Sequence, residues 1–153
     1  MEKEDSEQEI DTKQEIKTEN DVEQQKSIEL ERAPEVNLAS YTYRDLLLLT
    51  QILHIKNLLE PDQVRRSKKL DEFGQTWFEH KCTVLSRRQE EFPLARAPTG
   101  SEIRQLYANM LVDYSPCKNT TELANCFYNL RINELKQKIS DEKATFETLH
   151  NIA

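Results

Sequence analysis

Two glycines, Gly74 and Gly100, serve the whole of this 153-residue chain. Glycine reaches left-handed and tightly turned backbone without steric cost, so hairpin-rich sheets and phosphate-binding loops draw on it heavily. With two glycines, five prolines and 32% charged residues, the chain is expected to be all-α.

Charge divides the chain. Residues 1–35 hold 13 Asp/Glu against 5 Lys/Arg, net −8, whereas residues 36–153 hold 15 against 16, net +1. The first stretch has no aromatic residue, and Ile10, Ile16, Val22, Ile28 and Leu30 form no continuous helical stripe. Such a segment buries too little apolar surface to offset chain entropy, so 1–38 is expected to be a disordered acidic tail. Within it, Ile16-Lys17-Thr18-Glu19 matches the apolar-Lys-x-Glu form of a SUMO acceptor, with Lys17 the acceptor. The plainer reading is a chance match in a Lys/Glu-rich tail.

Met1–Asn20 is charged throughout and is not expected to be a secretory leader. The longest apolar run, Leu46–Leu49, is far short of the roughly 20 residues that span a bilayer, so no membrane association is expected. Cys82, Cys117 and Cys126 form no CxxC pair, and an odd number suits no disulfide framework. They are expected to be reduced thiols.

Helical periodicity organises the rest. Thr42 and Asp45 resemble a capping box ahead of a first helix to about Leu59, with Leu46, Leu49 and Leu53 on one face and Leu48, Ile52, Ile55 and Leu59 on another. A basic cluster, Arg65, Arg66, Lys68 and Lys69, follows Pro61; it reads as a localisation or phosphate-contacting patch, or as a solvated linker. A second helix is expected from Gln75 or Trp77 to about Arg88, with Trp77, Cys82 (or Lys81), Val84 and Leu85 inward. Thr99 and Glu102 hold capping-box positions for a third, whose Ile103, Leu106, Tyr107, Met110 and Leu111 fall at i, i+3, i+4, i+7 and i+8. Asn119 caps a long last helix. From Ile132 that helix carries a seam, Ile132, Leu135, Ile139, Glu142, Phe146 and Leu149, at alternating spacings of three and four. About three heptads are marginal alone, so the seam calls for a partner helix.

Gly74, Trp77, Val84, Leu85 and Arg87, followed by Thr99, Ile103, Tyr107 and Leu111, resemble the second and third helices of a SANT/Myb-like unit. With Leu130-Arg131-Ile132-Asn133-Glu134-Leu135-Lys136 opening the last helix, Tyr41–Ile152 resembles the N-terminal region of the bromodomain-containing-protein-eight family. It also resembles the small Swr-complex accessory subunits of the Swc-seven type. The resemblance implies a three-helix unit at 39–116 with Leu49, Leu53, Trp77, Leu85, Ile103, Tyr107 and Leu111 in its core. A coiled-coil-like helix at 117–153 follows. It also implies a nuclear accessory subunit of a histone acetyltransferase or Swr-type exchange complex. There are departures. The first Myb tryptophan is missing, with Tyr41 or Tyr43 nearest; the loop 60–73 is long; and no bromodomain is expected to follow, so acetyl-lysine reading is not expected to carry over.

DNA reading does not carry over either. From Ser101 to Asp113 the third helix has one basic residue, Arg104, against Glu102 and Asp113, too little charge for a recognition helix. His54, His80 and His150 lie in no metal or catalytic spacing, and no phosphate loop, dinucleotide fingerprint or nucleophile elbow is present. Asn119-Thr120-Thr121 matches a glycosylation sequon but reads better as a helix cap. No enzyme activity, cofactor, metal or small-molecule substrate is expected. The expected partners are protein subunits of a chromatin complex, met through Ile132, Leu135, Ile139, Phe146 and Leu149, with direct nucleic-acid binding weak or absent. A Myb-like DNA-binding regulator and a cytosolic coiled-coil adaptor are the alternatives.

Overall fold

The structure, a computed structural model, describes residues 33–152. The tail 1–32 and its Lys17 motif lie outside the described residues. Among the described residues there are six α-helices, one short 3-10 turn and no strand, so the fold is all-α with a long C-terminal helix.

The folded body starts earlier than 39. Asn37 caps the 3-10 turn Leu38–Ser40, Leu38 is buried, and the Asn109 amide donates to the Val36 carbonyl at 2.8 Å. Helix α1 (Tyr43–Ile55) is capped by Thr42, whose hydroxyl accepts from the Asp45 N–H at 3.1 Å. It buries Leu46, Leu49, Ile52 and Leu53 but stops before Leu59. Asn57 adopts a left-handed φ of 62°, and Leu58 and Asn57 donate back to the Leu53 and His54 carbonyls at 2.9 and 3.0 Å. This Schellman closure takes the carbonyls a longer helix would have used, and asparagine tolerates the conformation. Ile55 is left exposed.

The expected long loop contains α2 (Pro61–Arg66), begun by a proline at its first position and a Gln63 side chain that accepts from the Glu60 N–H at 2.9 Å. Its one buried residue is Val64.

The expected second helix is two: α3 (Leu70–Glu79) and α4 (Lys81–Arg88), parted at His80, whose backbone is extended. The break has a local cause. The Thr83 hydroxyl lies 2.5 Å from the Trp77 carbonyl and 3.0 Å from those of Phe78 and His80, and the His80 ring nitrogen Nδ1 accepts from the Cys82 N–H at 3.1 Å. Side chains thereby serve the groups that an unbroken helix would pair. The restart also changes which face of α4 looks inward: Thr83 and Ser86 are buried, whereas Leu85 is 42% exposed. Leu85 is therefore not a core residue, and Leu111 is only half-buried, packed against the core's edge.

Helix α3 buries Leu70, Phe73, Gly74 and Trp77 against α5 (Gly100–Asp113). Gly74 sits mid-helix, where a Cβ would lie 2.6 Å from the Pro98 carbonyl oxygen, so only glycine lets this backbone pass. Trp77 is fully buried and donates through Nε1 to the Asp45 carbonyl at 2.8 Å. Tyr41 and Phe92 pack on its ring at centroid distances of 5.5 and 5.1 Å.

The Thr99/Glu102 capping box of α5 is formed, and Ile103, Leu106, Tyr107 and Met110 are buried. Helix α6 (Thr120–Ile152) begins at an Asn119 cap whose side chain accepts from the Glu122 N–H at 2.9 Å. Thr120 Oγ1 donates to the Leu58 carbonyl at 2.6 Å and lies 2.9 Å from Tyr107 Oη. Leu123 and Phe127 are fully buried, with α6 packed along α1. The boundary expected at 116/117 thus does not part the fold: the first turns of α6 belong to the same core as α1 and α5.

Candidate functional site

Four places carry unusual chemistry or exposure: a buried polar cluster, the basic patch, an open cleft between α1 and α6, and the second half of α6.

The cluster centres on Asp45, whose side chain is fully buried in α1. Arg44 Nε lies 4.0 Å from Asp45 Oδ1, and the Ser86 and Thr42 hydroxyls lie beside the carboxylate. Arg44 Nη2 donates instead to Ser86 Oγ at 2.6 Å. Burial pushes the Asp45 carboxyl above its usual range, with the nearby Ser86 and Thr42 hydroxyls and Arg44 offsetting part of that. Fully enclosed, the group has no route to a substrate. A raised folded-state pKa means that the folded protein holds this proton more tightly than the unfolded chain. Stability from Asp45 is thus complete below its unfolded value and is lost as pH rises through the folded one. Asp45→Asn removes that loss. It is expected to stabilise the protein by about 1 kcal/mol at neutral pH, with the gap over wild type closing on acidification. Denaturant melts across that pH range check it, and equal stability of the two at every pH contradicts it.

Arg65, Arg66, Lys68 and Lys69 lie at the end of α2 and in the turn to α3. Arg65 pairs with Asp62, and the Arg104 guanidinium donates to the Arg65 and Ser67 carbonyls at 3.2 and 2.8 Å. Arg104, the one basic side chain of α5, is thereby spent on closing α2. Arg87 stacks over Phe78 at 3.8 Å and donates to the Phe78 carbonyl at 2.7 Å. An open cleft between α1 and the start of α6 is lined by Leu48, Ile52, Ile55, His54, His80 and Ala124. It holds two imidazoles and no carboxylate. Among the described residues, no group of three or more His, Cys, Asp or Glu is placed to hold a metal, and no helix is long and apolar enough to cross a membrane.

The second half of α6 is different. Thr120, Leu123, Phe127 and Leu130 form the stripe that meets the core. The same three-and-four spacing continues into Glu134, Gln137 and Asp141, all polar and exposed. A second apolar stripe starts about 100° round the helix, one residue on. It runs Tyr128, Ile132, Leu135, Ile139, then Glu142, Phe146 and Leu149. Ile132 and Leu135 are half-buried where the helix leaves the body. Beyond them every described residue is exposed, including Ile139 at 55%, Phe146 at 70% and Leu149 at 61%. Lys136–Ile152 therefore extends some 25 Å without contact to the core. Phe146 lies nearly parallel to the His150 ring at a centroid distance of 6.3 Å and stays exposed. Of the five seam residues expected from sequence, the structure brings all to one face and covers none fully. Tyr128, 54% exposed, extends that face upstream. Sequence reasoning passed it over because one face had to be assigned to the core before its neighbour became visible.

No protein-family model, curated protein or solved structure matches the chain. The reading of function thus rests on this geometry and on the residue patterns.

Proposed function

We propose that the chain is a non-catalytic accessory subunit of a nuclear chromatin-modifying complex, of the nucleosomal acetyltransferase or Swr-type exchange class. It docks by laying the second half of α6 against a helix of another subunit. One observation carries the docking reading: the apolar stripe changes face after Leu130, so Ile139, Phe146 and Leu149 cannot fold back onto this core. An uncovered apolar seam on a helix held at one end is what a coiled-coil partner buries.

The chromatin class is supported by the Thr99–Leu111 pattern, with Trp77, Ile103 and Tyr107 in the core and Tyr41 packed on Trp77, although the Gly74–Arg87 part of the resemblance is broken at His80. A DNA-reading role is disfavoured, because Arg104 and Arg87 already bond within the fold. Affinity purification of the tagged chain from nuclear extract is expected to recover acetyltransferase or remodeller subunits in fixed proportion. Recovery without any of them, or a chain confined to the cytosol, overturns the assignment.

A further inference from the structure

The residues flanking the seam say what kind of helix it fits. On one side, each directly following a seam residue, stand Lys136, Lys143 and His150. On the other, each directly preceding one, stand Arg131, Lys138 and Thr145. In a two-stranded coiled coil these flanks face the partner's flanks across the seam. Both flanks here are basic, without one carboxylate. The acidic residues Glu134, Asp141 and Glu147 sit away from the flanks; Arg131 pairs with Glu134 at 3.1 Å, and Asp141 accepts from the Gln137 amide at 2.9 Å. Among the described residues, Lys136, Lys138 and Lys143 enter no ion pair.

A second copy of this chain fits poorly. In a parallel pair each flank meets the opposite flank of the other helix; in an antiparallel pair each meets its own kind. Both arrangements set cation against cation. Glu142, the one charged seam residue, would also face its own copy in the parallel pair. A polyanion fits no better, since residues 131–152 hold four Lys/Arg and four Asp/Glu.

Building on the docking reading above, we infer that α6 is a heterotypic docking helix. Its partner is a helix of a different protein, with an apolar seam, Glu or Asp on both flanks and a basic residue in the layer that meets Glu142. The basic flanks select the partner and exclude self-pairing, while Ile132, Leu135, Ile139, Phe146 and Leu149 supply the buried area.

The test uses the full chain and two designed peptides of about four heptads each, with identical Ile/Leu seams and one Lys opposite Glu142. One peptide carries Glu on both flanks and the other Lys. The acidic-flanked peptide is expected to bind at least about tenfold tighter, weakening as salt is added. The full-chain variant Lys136→Glu/Lys138→Glu/Lys143→Glu is expected to reverse the preference. Sedimentation equilibrium of the wild-type chain at micromolar concentration is expected to show a monomer. Equal binding of both peptides overturns the charge rule while leaving α6 docking intact. Self-association, or tighter binding to duplex DNA or anionic vesicles than to the acidic peptide, overturns the heterotypic assignment. Binding of neither peptide, together with complex recovery that survives loss of the seam, overturns the docking reading itself.

Discussion

Ile139→Asp/Phe146→Asp is expected to abolish recovery of the partner while leaving the fold intact. Burying an aliphatic or aromatic side chain contributes about 1.5–3 kcal/mol. Removing two from a seam and placing carboxylates there is expected to weaken docking by well over about a hundredfold. Neither residue touches the core, so the melting temperature is expected to stay within about 1 °C of wild type. That separation matters, because a core substitution would lose the partner merely by unfolding the subunit. Quantitative pull-down alongside a thermal melt reads both. A fall in melting temperature that matches the loss of partner contradicts the division of labour along α6.

Trp77→Ala is expected to do the reverse, costing about 4–5 kcal/mol of folding stability. The side chain is fully buried, Tyr41 packs tilted and Phe92 edge-on against it, and its indole N–H holds the Asp45 carbonyl. The cavity and the orphaned carbonyl add to the lost transfer energy. For a domain of ordinary stability that is a large share of the total. Trp77→Phe keeps most of the packing and loses the hydrogen bond, so a cost of about 1–2 kcal/mol is expected. Urea unfolding followed by circular dichroism checks both. Equal effects of the two substitutions contradict the role given to the indole.

The parts of the fold that were legible in sequence are those decided within one turn. Thr42, Thr99 and Asn119 each bond a backbone N–H three residues on, and the polar-then-apolar order that signals such a cap is local. Helix α5 was legible because its apolar residues repeat through three turns and its neighbours leave no second choice of face. The break at His80 was not. It depends on the Thr83 hydroxyl reaching carbonyls of the preceding helix, which residue type alone does not reveal. The exposure of Leu85 follows from that break, since restarting the helix re-aims every side chain after it. Helix α2 escaped notice because a single buried residue, Val64, produces no period.

The same limit applies to the site. The heptad spacing of Ile132, Leu135, Ile139, Phe146 and Leu149 is visible as a pattern. What spacing cannot tell is whether such a stripe meets its own domain or something else. That required Leu123, Phe127 and Leu130 to be placed against α1, which showed the seam to be a different face of the same helix. The meaning of the basic flanks emerged only then, because charges beside a buried stripe would have been an ordinary surface.

Hydrogen–deuterium exchange on the chain alone and in its recovered complex tests the central claim most directly. An isolated helical segment of this length is marginal, so amides of Lys136–Ile152 are expected to exchange fast in the free chain. In the complex they are expected to slow by an order of magnitude or more, while those of α1 and α5 change little. Unchanged exchange in Lys136–Ile152, with new protection confined to Arg65–Lys69 or to the α1/α6 cleft, would contradict the account.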